Sequence, residues 1–271
     1  MSISDITLAG GMRGNLLNLQ LVAALQARTT QRLSTGMRVN TAVDDPAAYF
    51  AAASARSRAG DLAARKDSMG EAIQTVKAAS QGIDAITKLI EQAKGLTAAA
   101  SSANTTDRAS LATQFAGLMT QVDNLALDSG YKGTNLLNSD NLIVSFNEDG
   151  SSSLTITGVD ASSTGLGIGA ATNAWAANTD VDAAAADLDT ALGTLRVSGK
   201  TLSSNSGVVT TRQDFTTGLI NTLTTGADDL TAADTNEEGA NMLALQTRQQ
   251  LGIVALQLSN TAQQSILRLF G

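Results

Sequence analysis

A mainly α fold, a long antiparallel helical bundle or coiled coil with one β-hairpin, is predicted from three observations. Apolar residues recur at three- and four-residue steps along most of the chain, which places them on one side of helices. Aromatic residues make up only 3% of the 271 residues and Pro46 is the single proline. Small side chains must therefore do much of the packing, which suits closely spaced long helices better than a thick globular core. The period switches from helical to alternating in one region only, around residues 142–156.

The first helix follows Met12, Leu16, Leu19, Ala23, Gln26, Thr30, Leu33 and Met37, the alternating steps of a coiled-coil seam with polar gaps at Gln26 and Thr30. Polar seam residues cost stability and fix register, so this helix is not expected to stand as a free zipper. Residues 33–40 (LSTGMRVN) close it at Gly36, and 41–45 form a short link. Asp45 then caps a new helix with Pro46 at its first position, where a missing N–H costs little. From residue 46 to about 100, Leu62, Met69, Ile73, Val76, Ile83, Ile86 and Ile90 keep helical spacing. A helix of that length, roughly 80 Å at 1.5 Å per residue, needs lateral support.

Residues 98–106 (AAASSANTT) read as a loop, and Asp107 opens a helix striped by Leu111, Phe115, Leu118, Val122 and Leu125. The glycine-containing run 128–137 stops it. Leu142, Val144 and Phe146 alternate with polar residues, 147–150 (NEDG) is a turn signal, and Leu154 and Ile156 alternate again, giving the hairpin. Residues 158–180 read as a loop or surface connection whose lone large residue is Trp175. Helical spacing returns over 181–229 through Leu188, Leu192, Leu195, Leu202, Phe215, Leu219 and Leu223, weakened by Gly199 and Gly207. Asp234 and Glu237 form a capping pair for the last helix. Its stripe is Leu243, Leu251, Val254, Leu258, Ala262, Ile266 and Leu269, its other side is rich in Gln, and no acidic residue follows Glu238. An uncharged, amide-rich back suits burial among other helices, and the first helix is the natural partner. An ordinary antiparallel bundle whose termini meet explains the same patterning.

Composition lowers the odds of catalysis. Cys and His are absent, which removes disulfides, thiolate metal sites and the commonest general base. The acidic run Asp180, Asp182, Asp187 and Asp189 has Ala185 and Ala191 where a calcium loop needs Gly and Glu, so it reads as helix-start acidity. Gly165, Gly167 and Gly169 lack a phosphate-binding Lys, and the pair Asp44 and Asp45 is explained by the helix cap. No catalytic, cofactor or metal site is expected. The net charge is −7, with eight Arg/Lys and four Asp in residues 1–66; the basic residues lack interleaved aromatics, so nucleic acid is not an expected partner. No run approaches 18 apolar residues, so no membrane insertion is expected. Residues 1–14 have no cationic, apolar leader pattern, so a cleaved secretory signal is not expected either.

Residues 31–48 (QRLSTGMRVNTAVDDPAA) resemble the bacterial flagellin signature, in which a Leu-Ser-(Ser/Thr)-Gly-x-(Lys/Arg)-(Ile/Val)-Asn segment leads into an acidic helix start. The other end is similar to the matching flagellin terminus through Leu245-Gln246, Gln249-Gln250, Gly252, Ala255-Leu256 and 260–269 (NTAQQSILRL). Residues 129–137 resemble the family's segment before its hairpin. The short stretch between Ile156 and Val181 makes this similar to minimal, alphaproteobacterial-like flagellins with little or no outer domain.

That resemblance implies a structural subunit of the flagellar filament, not an enzyme, located outside the cell; the hook-filament junction protein is the rival reading. It implies an inner-tube helix and link at 1–45, outer-tube long helices at 46–140, the hairpin and short loop at 141–180, an outer-tube helix at 181–230 and an inner-tube helix at 231–271. Terminal helices would fold on assembly as Leu16, Leu19, Leu33, Leu251, Leu258, Ile266 and Leu269 become buried. Arg32, Arg38, Asn40, Asp44 and Asp45 are expected to hold inter-subunit or helix-turn contacts, with local capping or solvated charge as the alternative. Implied partners are further copies of the chain, the flagellar export apparatus and its chaperone, the filament cap and hook-associated proteins. Lys88, Ile90, Glu91 and Gln92 stand where many flagellins carry an Arg-x-Arg-Glu-Leu type run, which implies weak recognition by the animal flagellin receptor.

Overall fold

A computed structural model describes the backbone of residues 10–270 and the side-chain surroundings of 12–262, 264 and 265. The leader expectation for residues 1–14 and the packing expectations for Ile266 and Leu269 lie wholly or largely outside those described residues. The order is α1 (Gly10–Thr35), α2 (Pro46–Ser101), α3 (Thr105–Asp128), β1 (Leu142–Ser145), β2 (Ser153–Ile156), a 3₁₀ turn (Thr172–Trp175), α4 (Asn178–Thr231) and α5 (Thr235–Phe270). Two compact units emerge, one spanning Arg58–Thr222 and the other Met1–Ser57 with Leu223–Gly271.

α2 begins as its sequence dictates. Pro46 occupies the first turn, and the Asp45 carboxylate accepts a hydrogen bond from the Ala48 N–H at 3.1 Å, satisfying a donor that the helix itself leaves free. The helix continues to Ser101, through the first half of the segment expected to be a loop. Ala98, Ala99 and Ala100 are strong helix formers, and Ala100 is buried. The last carbonyls of α2 are covered by Arg108, whose guanidinium donates to Ala100 O at 2.9 Å and Ser101 O at 3.2 Å. Asn104, not Asp107, caps α3: its side chain accepts from the Asp107 N–H at 3.0 Å.

The Arg58–Thr222 unit has one continuous apolar core. Ile83, Ile86 and Ile90 of α2, Phe115 and Val122 of α3, and Leu188 and Leu195 of α4 are buried together. Gly82 marks a close approach, since a Cβ there would lie 2.6 Å from Leu137 Cδ1. β1 and β2 pair antiparallel with Val144 opposite Leu154 and Leu142 opposite Ile156. Val144 and Ile156 reach the core while Ile143 faces solvent, as alternation requires. α4 passes through Gly199 and Gly207 unbroken, because packing on its apolar side outweighs a glycine penalty of about 1 kcal/mol per position.

The segment after the hairpin corrects the reading of a surface connection. Ala161, Leu166, Ile168 and Trp175 are all buried in the core, and the Trp175 ring lies 5.1 Å from that of Phe115. The indole N–H is buried without an acceptor, so apolar and ring contact is what holds it there. Asn173, Ala174 and Trp175 all adopt positive φ, a cost of order 1 kcal/mol or more per residue that burial of the ring must offset.

Trp175→Ala is therefore expected to destabilise this unit by about 3–5 kcal/mol. Urea unfolding followed by far-UV circular dichroism checks this; a loss below about 1 kcal/mol would contradict the buried placement.

Candidate assembly site

α1 and α5 pack against each other within the terminal unit. The residues that this contact covers on α1 are Met12, Asn15, Leu19, Val22, Gln26, Thr29 and Leu33, and on α5 Glu238, Met242, Leu245, Gln249, Gly252, Leu256 and Ser259. Each row steps alternately by three and four, the geometry of a coiled-coil seam. Two contacts fix the register. Leu19 seats on Gly252, where an added Cβ would come within 2.8 Å of Leu19 Cδ2. Arg32 pairs with the buried carboxylate of Glu238 at 2.7 Å.

This seam differs from the expected one at three positions within α1. Asn15, Val22 and Thr29 take the places assigned to Leu16, Ala23 and Thr30. Leu16 is 38% exposed, and Leu17, Leu21 and Leu25 also face outward. On α5 the expected stripe is the outer one: Leu251 is 63% and Leu258 71% exposed, beside exposed Leu243 and Val254. An antiparallel pair buries one row from each helix, and Gly252 marks the row of α5 that approaches closely. Of the other two leucines singled out, Leu19 and Leu33 lie on the seam and are partly buried.

The link between α1 and α2 is tied to the end of α4. Gly36, at φ +69°, leaves its carbonyl to accept from the Ala233 N–H at 2.9 Å, and Thr231 O accepts from the amides of Arg38 at 2.7 Å and Val39 at 3.2 Å. The Arg38 guanidinium donates to Leu230 O at 3.3 Å and stands 3.9 Å from Asp45. The Asn40 side chain donates to Met37 O at 3.0 Å. Arg56, which sequence reasoning missed, bridges to Asp228 and to the Thr231 hydroxyl, both at 3.0 Å. Asp44 is the hub. Its carboxylate accepts from the Thr41 amide and hydroxyl at 3.0 Å each, from the Asn40 amide at 3.2 Å and from Arg28 at 3.2 Å. These donors, the Thr41 amide and hydroxyl foremost, hold its pKa below the ordinary aspartate range. Arg32, Arg38, Asn40, Asp44 and Asp45 thus all have partners within the chain.

Of the receptor-related residues on α2, Lys88, Glu91 and Gln92 are exposed and Ile90 is buried in the core. Glu238 and Gly252 were legible only indirectly, as the last acidic residue and as one residue of the flagellin-like terminus. No cluster of potential metal ligands occurs among the described residues.

A family model described as the bacterial flagellin N-terminal helical region matches residues 13–141. The chain is 31% identical to Flagellin FljM of Caulobacter vibrioides over the full length of both. It is 29% identical to a flagellin of Brucella melitensis over 89% of this chain and 90% of that one. The crystal structure of Bacillus cereus flagellin aligns with a TM-score of 0.45 at 17% identity, covering 65% of this chain and 94% of that one.

A carboxylate whose pKa is lowered by folding contributes stability that is complete above its unfolded value and is lost as pH falls through the folded one. Protection of the Asn40 and Thr41 amides from hydrogen exchange, corrected for intrinsic rates, is therefore expected to fall on acidification below the ordinary aspartate range. In Asp44→Asn it should already be low at neutral pH. Equal protection in both proteins at neutral pH would show that Asp44 does not hold the link.

Proposed function

The chain belongs to the bacterial flagellin family and is a structural subunit of the flagellar filament, and we propose that order in its α1–α5 pair depends on neighbouring copies. The observation that carries this reading is the outward row of leucines on α5. A helix pair that spends Asn15, Gln26, Thr29, Gln249 and Ser259 on its own seam stabilises itself less than an all-apolar seam would, while Leu16, Leu251 and Leu258 remain exposed. Burying such a side chain is worth about 1.5–3 kcal/mol, so contacts between copies supply what the single chain lacks. A repeated head-to-tail contact that does not close generates a helical tube.

On this reading residues 1–45 and 231–271 form the inner tube, 46–140 and 181–230 the outer tube, and 141–180 stand in place of outer domains. Termini that stay unfolded before assembly suit passage through a narrow export channel, with the export apparatus, its chaperone, the filament cap and hook-associated proteins as successive partners. No helix of the described residues is long and apolar enough to cross a membrane. The relatives matched above are named flagellins, which favours the filament over the hook-filament junction.

Leu251→Asn combined with Leu258→Asn is expected to leave the helix content of the isolated chain unchanged and to abolish filament growth on seeds, scored by negative-stain microscopy. Filaments of normal length from the double variant would overturn the proposal. Because Lys88, Glu91 and Gln92 replace the family's usual run on an exposed part of α2, we also propose weak stimulation of the animal flagellin receptor. A reporter-cell assay giving potency equal to an enteric flagellin would remove that idea.

A further inference from the structure

The hairpin leaves one edge of β1 without a partner strand, and that edge borders an open groove. Val144 stands opposite Leu154, and the Phe146 N–H donates to Ser152 O at 2.8 Å. Hydrogen-bonded and non-bonded pairs alternate along an antiparallel ladder, so Val144, like Phe146, turns its main-chain groups toward β2. The N–H and C=O of Ile143 and Ser145 therefore point the other way. Among the described residues the sheet has two strands, and no third strand receives them.

The groove holds about 340 Å³ and is lined by all four residues of β1. Val144 is buried in the core and Ile143 faces solvent, so one cleft meets both only along the edge of the strand. The other wall is Arg65, Ser68, Ala72 and Thr75 of α2, whose steps of three and four place them on one side of the helix. Residues 65–75 span about 15 Å of helix and β1 about 13 Å of strand. The two walls thus match in length, which suits an extended chain of four or five residues lying between them.

Arg65, Glu71 and Lys132 are the charged residues of the lining. Lys132 pairs with Glu71 at 2.8 Å, and the Tyr131 hydroxyl also donates to Glu71. Arg65 is half-buried and forms no ion pair among the described residues. The groove therefore carries a net +1 that rests on an uncommitted guanidinium, a group whose planar fork matches a carboxylate. An unpaired strand edge is in turn a template for another extended chain.

We infer that this groove takes an extended acidic segment of a partner protein, added to β1 as a third strand with a carboxylate side chain on Arg65. Main-chain bonds to Ile143 and Ser145 attach the segment, and Arg65 selects the sign of its side chain. The groove lies wholly within the Arg58–Thr222 unit, so its occupancy is independent of whether α1 and α5 are ordered.

The test is titration of capped peptides Thr-Val-x-Val-Thr, with Glu, Gln or Lys at x, into the full-length unassembled protein, followed by calorimetry and by amide hydrogen exchange. The Glu peptide is expected to saturate one site and to slow exchange of the Ile143 and Ser145 amides, leaving those of Leu142 and Val144 unchanged. The Gln peptide is expected to bind about tenfold more weakly, the change for one charge-assisted hydrogen bond, and the Lys peptide more weakly still. Arg65→Gln should erase the preference for Glu over Gln, whereas Arg196→Gln, at an exposed position on α4, should keep it. Ser145→Pro removes an outward N–H and spares the ladder to β2, so it should abolish binding with the hairpin intact; Arg65→Gln decides the matter if that proline unfolds the hairpin. The inference is overturned by absence of a saturable site for the Glu peptide, by saturation without slowed exchange at Ile143 and Ser145, or by equal affinity for the Glu and Lys peptides. Self-association in sedimentation that Ser145→Pro removes would also overturn it, by assigning the edge to a second copy.

Discussion

The register of α1 on α5, set by Arg32 against Glu238 and Leu19 against Gly252, is the constraint on which the rest of the terminal unit depends. A buried ion pair is a poor source of net stability, because desolvation consumes most of the attraction. Mispairing it is another matter, since leaving either charge buried and alone costs several kcal/mol. The pair therefore selects among registers, and Gly252 adds a steric condition by admitting Leu19 to a place that any side chain would fill. With this register chosen, polar and small residues share the seam with Leu19, Leu33 and Leu245, and a further row of aliphatic side chains, Leu16, Leu251 and Leu258 among them, lies outside. The apolar surface available for contacts between copies is a direct consequence.

Charge reinforces that division. Residues 10–35 and 239–270 contain Arg13, Arg28, Arg32, Arg248 and Arg268 and no Asp or Glu, whereas the chain as a whole carries −7. The acidic partners of the terminal unit are Asp44, Asp45, Asp228 and Glu238, clustered where α1 ends, α2 begins, α4 ends and α5 begins. That end is tied by ion pairs and by main-chain bonds to Thr231 and Gly36. The remainder of the helix pair has little to hold it except a thin seam. A firm junction beside a thinly held helix pair is what the proposed ordering of α1 and α5 by further copies requires.

Much of this was legible in the residues. Long helices, the Asp45-Pro46 start of α2, the hairpin over residues 142–156 and the capping of α5 by Asp234 all follow from spacing and local hydrogen-bonding chemistry. The flagellin ends were recognisable from 31–48 and 245–269. What was not legible has specific causes. Period alone does not say which of two adjacent rows faces the partner: Leu16 and Asn15 compete for one seam position, and a glycine on the other helix decides between them. The segment carrying Trp175 has no period, so its burial beside Phe115 depends on distant residues. The hub at Asp44 looked like half of a capping pair, because Arg28 lies on the preceding helix and Thr41 gave no signal of its own.

The chain contains no cysteine, which opens a direct test of the central claim that the outer row of α5 is reserved for other copies. Leu251→Cys and Leu258→Cys are introduced singly, and the rate of maleimide labelling is measured on unassembled protein and on filaments. The account predicts fast labelling of both before assembly and strong protection in the filament. Labelling in the filament at the unassembled rate, or protection already present in the single chain, would contradict it.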